Sequence, residues 1–508
     1  MSRPASALDP GPGGTLPAFD RRVIAVGAAV FVVLMGLSGL YGFHRDELYF
    51  LDCGRHLAGS YVDQPVLTPL LARVSLDLFG VSLPGLRVWP ALADWATILV
   101  AGLIARELGG RSRAQLLAAA GVATSPAVLA VDHLFGPTAF DVLAWAVLAF
   151  VVVRVGRSGN SRWWILGGLD LGLGLANKHS IGIFAVALLA GIVIGGGRRR
   201  LLNRWALGAV VIAGVFTVPD LWWQAGHHWA TIAMTRSLSS ENGGAGHIPN
   251  WVAGQLIMVT LALVWLWVVG WRRLWASADP LQRSLAWTYG ILFVFFAVTT
   301  GAKIYYLLGA YVYLLAAGAV TFEERGRTPA DLRRLAGWTA LSTVAALPLV
   351  LPVLPASDVE WTYGVNQVPG ESIGWNAYIA QVAQVWHGLP APVQAHSVLF
   401  TADYGEAGAI NELGRTAGLP GAVSGQNNEW WWGPGDPNAT TVIAIAPGPR
   451  DVTGYDSYLS QYFTGVRVVA TISNPDGVHN QEWGGHIYIC TGPRRPWAQM
   501  WPALRHYD

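Results

Sequence analysis

Eleven apolar runs of membrane-spanning type fill the first 355 residues, at 22–41, 87–106, 114–131, 138–155, 163–177, 181–197, 205–221, 251–270, 284–301, 304–321 and 336–355. A chain patterned this way satisfies its backbone inside helices, because the hydrocarbon of a bilayer offers no partner for an N–H or a C=O. The run at 163–177 is short and holds Asp170. Only 13% of the 508 residues are charged, where soluble domains carry about 25%. The net charge of +2 gives no footing for nucleic acid.

Arginine clusters separate alternate pairs of these runs: Arg21/Arg22, Arg106/Arg111/Arg113, Arg154/Arg157/Arg162, Arg198/Arg199/Arg200/Arg204, Arg272/Arg273/Arg283 and Arg325/Arg327/Arg333/Arg334. The positive-inside rule then sets the N-terminus in the cytoplasm, and an odd number of spans sets everything after about residue 356 outside. Residues 1–20, rich in Pro, Gly and Ala, read as a disordered cytoplasmic tail. The run from Val23 to Leu40 reads as a retained helix, since a charged loop and no small-residue cleavage site follows it. The outer loops are 42–86, 132–137, 178–180, 222–250 and 302–303. The expected fold class is a mainly α polytopic membrane domain, 21–355, followed by a soluble α/β domain, 356–508.

The chemistry-bearing residues collect on the outer side. Arg45, Asp46, Glu47, Asp63 and Gln64 fall in the first loop; Asp132 and Asp141 flank the second, Lys178 and His179 lie in the third, and Lys303, Tyr305 and Tyr306 are at the last. Ionisable groups beside spanning helices are costly and point to function. Adjacent carboxylates next to basic groups suit an enzyme that activates a hydroxyl and grips a phosphate. The plainer alternative is an interfacial loop whose charges pair and snorkel, with Lys178 and Lys303 reaching for headgroups. Asp132 and Asp141 also fit helix caps, and Asp94 fits an ion-pair partner for Arg87. A transporter or lipid flippase would set its charges near the midplane in broken helices.

In the terminal domain, 396–402, 440–446, 467–472 and 486–491 read as strands, and 375–387 and 405–416 as helices. The loop from Ser424 to Gly433 is dense in amides and tryptophan. That composition suits either a carbohydrate or a Trp cluster packed on the protein. It also leaves open a non-catalytic wall-polysaccharide-binding role. Cys53 and Cys490, the two cysteines, fit buried thiols better than a disulfide. No Cys/His spacing calls for zinc, so no metal is expected to be obligatory.

Phe43-His44-Arg45-Asp46-Glu47-Leu48-Tyr49-Phe50 followed by Tyr61-Val62-Asp63-Gln64-Pro65 resembles the first loop of GT-C membrane glycosyltransferases, most closely family 39 and its bacterial relatives, the protein O-mannosyltransferases and 4-amino-arabinose lipid A transferases. Leu86-Arg87-Val88-Trp89-Pro90, Gly174-Leu175-Ala176-Asn177-Lys178-His179 and Lys303-Ile304-Tyr305-Tyr306 continue the likeness over about 22–355. Val66 stands where the family commonly has a second proline. The resemblance implies an inverting transfer from a polyprenyl-phosphate sugar to a lipid, glycan or protein acceptor at the outer face of the cell membrane. By position in the motif it implies Asp46 as base, with Glu47 orienting the acceptor or bracing a basic neighbour. Lys178, Lys303 and Arg45 become candidates for the phosphate clamp, helped by Tyr305 or Tyr306. Asp63, Gln64, Asp132, Asp141 and His179 become candidates for holding substrate.

Overall fold

The computed structural model describes residues 16–241, 247–446, 448 and 454–507. Its membrane part is built from α1 (Arg22–Leu37), the short outer helices α2 (Arg45–Arg55) and α3 (Leu67–Phe79), α4 (Leu83–Glu107), α5 (Ser112–Ala123), α6 (Pro126–Asp132), α7 (Pro137–Ser158), α8 (Trp163–Leu175), α9 (Ser180–Ile194), α10 (Arg204–Gly226), α11 (Ala230–Glu241), α12 (His247–Gly254), α13 (Val264–Trp275), α14 (Pro280–Val298), α15 (Leu308–Glu324) and α16 (Pro329–Val350). Among the described residues, five helical stretches are long and apolar enough to cross a membrane, six if the bent α5–α6 pair forms one span. Helices α1, α8 and α9 are apolar but shorter. This is a membrane protein.

Two expected spans are interrupted. The run at 114–131 bends by 60° between α5 and α6, where Pro126 cannot continue the helix. The run at 251–270 breaks between Gly254 and Leu261, so α12 and α13 are separate. The two breaks satisfy each other: Ser125 Oγ donates to the Met258 carbonyl at 2.6 Å, and Thr260 Oγ1 donates to the Thr124 carbonyl at 2.5 Å. Backbone freed within a membrane bundle is tolerated when neighbours re-satisfy it in this way. The expected loop at 222–250 is also partly helical, since α10 runs to Gly226 and α11 follows. The expected tail over 1–20 lies outside the described residues up to 15. Residues 16–20 are tied down, with the Pro17 carbonyl accepting from Arg106 Nε at 2.8 Å and Asp20 pairing with Arg22.

After α16 come α17 (Glu360–Tyr363), α18 (Trp375–His387), α19 (Ala391–Gln394), α20 (Tyr404–Leu413) and α21 (Asn427–Trp432). They accompany strands β1 (Ser397–Thr401), β2 (Ala422–Ser424), β3 (Thr441–Ile445), β4 (Phe463–Thr471) and β5 (His486–Pro493). The sheet order is β2-β1-β3-β5-β4, with β1 parallel to β2 and β3, and β5 antiparallel to β3 and β4. Strand β2, three residues long, is too short to show a periodicity in sequence.

The sheet region is docked onto the first outer loop through a shared core. Leu48 and Leu51 of α2 are buried in one cluster with Ile410 of α20, Leu399 of β1 and Ile443 of β3. Helices α2 and α20 run side by side in the same direction, since Arg45 meets Asp403, Asp52 meets Asn411 and Arg55 meets Glu412. Two glycines permit the approach. A Cβ on Gly405 would lie 2.7 Å from the Arg45 Cβ, and one on Gly408 would lie 2.8 Å from the Leu48 carbonyl carbon. Cys53 and Cys490 are free and buried in different clusters.

Candidate active site

The site is organised by the start of α2. His44 is its N-cap: the Nδ1 accepts from the Asp46 N–H at 3.2 Å, and Glu47 reaches back to the His44 N–H at 2.8 Å, closing a capping box. Glu47 is fully buried, and both its oxygens are filled. Oε1 accepts from Arg87 Nε at 2.9 Å and from the Phe135 N–H at 2.8 Å, while Oε2 accepts from Arg87 Nη2 at 2.7 Å and from His44. Arg87 also donates to the carbonyls of Ser38 and Gly42. The Glu47 carboxylate is turned inward, with Arg87 and two backbone N–H groups filling it. This corrects the pairing expected for Arg87. Asp94 sits instead beside Asp132, both buried within the membrane part.

Asp46, one residue earlier, points the other way. Its side chain is 45% exposed. Its Oδ1 accepts a hydrogen bond from Tyr404 Oη at 2.8 Å. Asp63 lies nearby, accepting from Tyr49 Oη at 2.8 Å, and the Tyr49 and Tyr404 rings are 4.7 Å apart. Burial pushes the Asp63 carboxyl up to about 6, against the opposing pull of the Tyr49 hydrogen bond. Arg45 forms an ion pair with Asp403 and lies over the Tyr404 ring, its guanidinium carbon 5.1 Å from the centroid. It is therefore engaged by the sheet region, with its Nε left without a hydrogen-bond partner among the described residues. Glu371, Glu406 and Glu482 gather behind it, all raised above the usual carboxylate range by burial.

Three more expected residues meet on the membrane side. Lys178 Nζ donates to Thr138 Oγ1 at 3.0 Å and sits 5.4 and 5.6 Å from the ring centres of Tyr305 and Tyr306. Cation–π contacts of this kind hold an ammonium without neutralising it. Tyr305 is within electrostatic reach of both Asp46 and Asp141. Asp141 is not a cap. It lies inside α7, accepting from Ser180 Oγ at 2.7 Å and Trp145 Nε1 at 3.2 Å. Lys303, exposed at the N-cap of the 3-10 turn that carries both tyrosines, makes no side-chain hydrogen bond or ion pair among the described residues.

The remaining expected residues lie elsewhere. Asp132, at the end of α6, has no exposed surface and lies beside Asp94. His179 Nε2, at the N-cap of α9, is 2.9 Å from Asp220 on α10, which also accepts from Ser60 Oγ at 2.6 Å, so Asp220 ties α10 both to His179 and to the first loop. Gln64 is buried with neither amide atom hydrogen-bonded. The tryptophan-rich segment packs on the protein itself: Trp432 stacks on His56 at 4.3 Å, Trp431 meets His227 edge-on at 4.7 Å, and Trp430 and Trp501 exchange hydrogen bonds. Asp403, Tyr404 and Asp220 were not indicated by sequence. Their partners lie 358, 358 and 160 positions away, and no local spacing signals such contacts.

Residues 63–223 match the family model for dolichyl-phosphate-mannose-protein mannosyltransferase. Among curated proteins the chain is 25% identical over 247 residues to the lipopolysaccharide core galacturonosyltransferase RgtB of Rhizobium johnstonii, covering 48% of this chain and 50% of that one. It is 24% identical over 276 residues to the lipid A galacturonosyltransferase RgtD of the same organism, covering 52% and 57%. The chain thus spans about half the length of the curated relatives it matches. The crystal structure of ArnT from Cupriavidus metallidurans bound to undecaprenyl phosphate superposes with a TM-score of 0.62 at 14% identity, over 92% of this chain and 98% of that one. That likeness is one of fold.

Proposed function

We propose that the protein transfers a sugar from a polyprenyl-phosphate donor to an acceptor hydroxyl at the outer face of the cell membrane, inverting the anomeric carbon. The observation that carries this reading is that Tyr305 lies within reach of both the half-exposed Asp46 carboxylate and the partly buried Lys178 ammonium. In the step, Asp46 takes the proton of the acceptor hydroxyl as its oxygen bonds to the anomeric carbon. The bond from that carbon to the phosphate oxygen breaks, and the lipid phosphate leaves with the electron pair. Lys178, with Tyr305, Tyr306 or Lys303, offsets the charge that develops there. No metal enters this scheme. Asp63 and Asp141 border the cleft as groups for sugar or acceptor hydroxyls.

The topology proposed with this function has the N-terminus in the cytoplasm, eleven spans including the interrupted ones, and 356–508 as an extracytoplasmic α/β domain. Two features support it. The arginine clusters all fall on one side of the spans, and the sheet region shares a core with α2, so both must lie on the same face. The crystal structure of ArnT with undecaprenyl phosphate supports a polyprenyl-phosphate partner. The lipopolysaccharide-directed relatives support an envelope acceptor.

The test is single turnover in liposomes with polyprenyl-phosphate-linked mannose, arabinose or galacturonic acid, in the presence of a chelator. Wild type is expected to transfer or release sugar, and Asp46→Asn to be slower by at least about a hundred-fold. Equal rates would remove Asp46 as base. Absence of both donor binding and turnover in wild type, across the three sugars, would overturn the reading.

A further inference from the structure

The proposed base is held by a residue that belongs to neither the first loop nor the bundle. Tyr404 opens α20, on the far side of the seam from α2, and its hydroxyl donates to Asp46 Oδ1 at 2.8 Å. We infer that Tyr404 is a positioning residue for Asp46, so that docking of the sheet region onto the first outer loop completes the reactive carboxylate. This rests on the proposed transferase reading for its meaning in turnover.

The placement of Tyr404 is strongly determined. Asp403 caps α20 by accepting from the Gly405 N–H at 2.5 Å, and the same carboxylate pairs with Arg45. The Tyr404 N–H is bonded at 2.7 Å to Gln426 Oε1, from the segment after β2. The ring is fixed between Tyr49, at 4.7 Å, and the Arg45 guanidinium, at 5.1 Å. At the opposite end of the seam Arg55 donates to Glu412 at 2.7 Å, and the glycines let the helix backbones approach. The phenol therefore has one direction to point, towards Asp46.

A hydroxyl donating to one carboxylate oxygen fixes the rotation of the carboxylate, leaving Oδ2, 3.8 Å from His44 Nδ1, as the oxygen that can meet an acceptor. Tyr404→Phe keeps the ring and removes the donor alone. A hydrogen bond to a charged group is worth about ten-fold or more in the equilibrium it holds.

The experiment follows Asp46 directly. Carbodiimide labelling of its exposed carboxyl at one fixed pH, read by mass spectrometry on the full-length protein in nanodiscs, reports how freely the carboxylate is presented and needs no turnover. Tyr404→Phe is expected to raise the labelling rate about ten-fold and to lower kcat by about the same factor, with donor KM within about two-fold. Glu412→Gln, which loosens the far end of the seam, is expected to leave the labelling rate in place. An unchanged labelling rate in Tyr404→Phe, or an equal change in Glu412→Gln, would overturn the inference. A changed labelling rate in a protein that turns over no donor would keep the positioning role and sink the transferase reading.

Discussion

Substituting Glu47 by glutamine removes one charge from the middle of the molecule and should be among the most damaging single changes. Four donors converge on this carboxylate: Arg87 Nε and Nη2, the Phe135 N–H and the His44 N–H, at 2.7–2.9 Å. A carboxylate has about four lone-pair sites, so the count is full. Glutamine keeps one acceptor oxygen and turns an NH2 towards two of the donors, so two hydrogen bonds are lost and two donors are opposed. Arg87, 2% exposed, keeps the Ser38 and Gly42 carbonyls but loses its anion. Breaking one partner out of a buried pair costs about 3–5 kcal/mol. The measurement is reversible unfolding in mixed micelles with increasing SDS, wild type against Glu47→Gln. Removing both charges together, as in Glu47→Leu with Arg87→Met, should recover a large part of the loss, since the uncompensated charge is what costs. A Glu47→Gln protein within about 1 kcal/mol of wild type would refute the reasoning, as would a double variant no better than the single.

Two further outcomes follow from the cleft. Lys178→Met should lower single-turnover kcat by roughly a hundred- to a thousand-fold with little change in donor KM, because a fixed charge facing a leaving phosphate acts mainly in the transition state; an unchanged kcat with raised KM would show it to be only a binding contact. Asp63 titrates near 6 in the folded protein against 3.8 as its ordinary value, so the folded state holds its proton more tightly than the unfolded chain. Its contribution to stability is then fully present below about pH 4, is lost as pH rises through about 6, and amounts to about 3 kcal/mol. Asp63→Asn should flatten that part of the stability–pH curve, and a slope that survives the substitution would assign it to another group.

Much of the cleft was legible in sequence because its residues sit where apolar runs end. Lys178, Tyr305 and Tyr306 are polar punctuation between long apolar segments: Lys178 falls between α8 and α9, the tyrosines in the 3-10 turn before α15, and the fold brings them within 5.6 Å. The breaks at 124–126 and 255–260 were hidden, since the residues around them remain apolar enough to read as continuous spans; Pro126 was the one local signal. Asp132 and His179 looked like site residues by position along the chain, but position fixes which end of a helix a residue occupies and not which way it faces. Asp132 is buried beside Asp94, and Asp220 draws His179 towards α10. Tyr404 and Asp403 were beyond reach for a different reason. Their partners lie across a domain seam, and helix capping in α20 would look the same in sequence with or without Arg45 beside it.

The contrast between Asp46 and Glu47 follows from helix geometry. Successive residues of an α-helix are separated by about 100° around its axis, so adjacent acids in a first turn cannot share an environment. The capping box decides which one turns in: Glu47 occupies the position three residues after the cap, reaches back to the His44 N–H, and is thereby aimed at Arg87. Asp46 is left on the solvent side, in the first turn where the unpaired N–H groups of the helix favour an anion. Arg45, a further step round, faces α20 and is taken up by Asp403. Three consecutive charged residues thus serve three surfaces: Arg45 joins the sheet region, Glu47 anchors the bundle, and Asp46 is left half-exposed with one oxygen bonded to Tyr404. A one-residue insertion before His44 that moved the cap would exchange these roles, which is why the spacing of histidine and the two acids matters more to this site than the presence of any one charge.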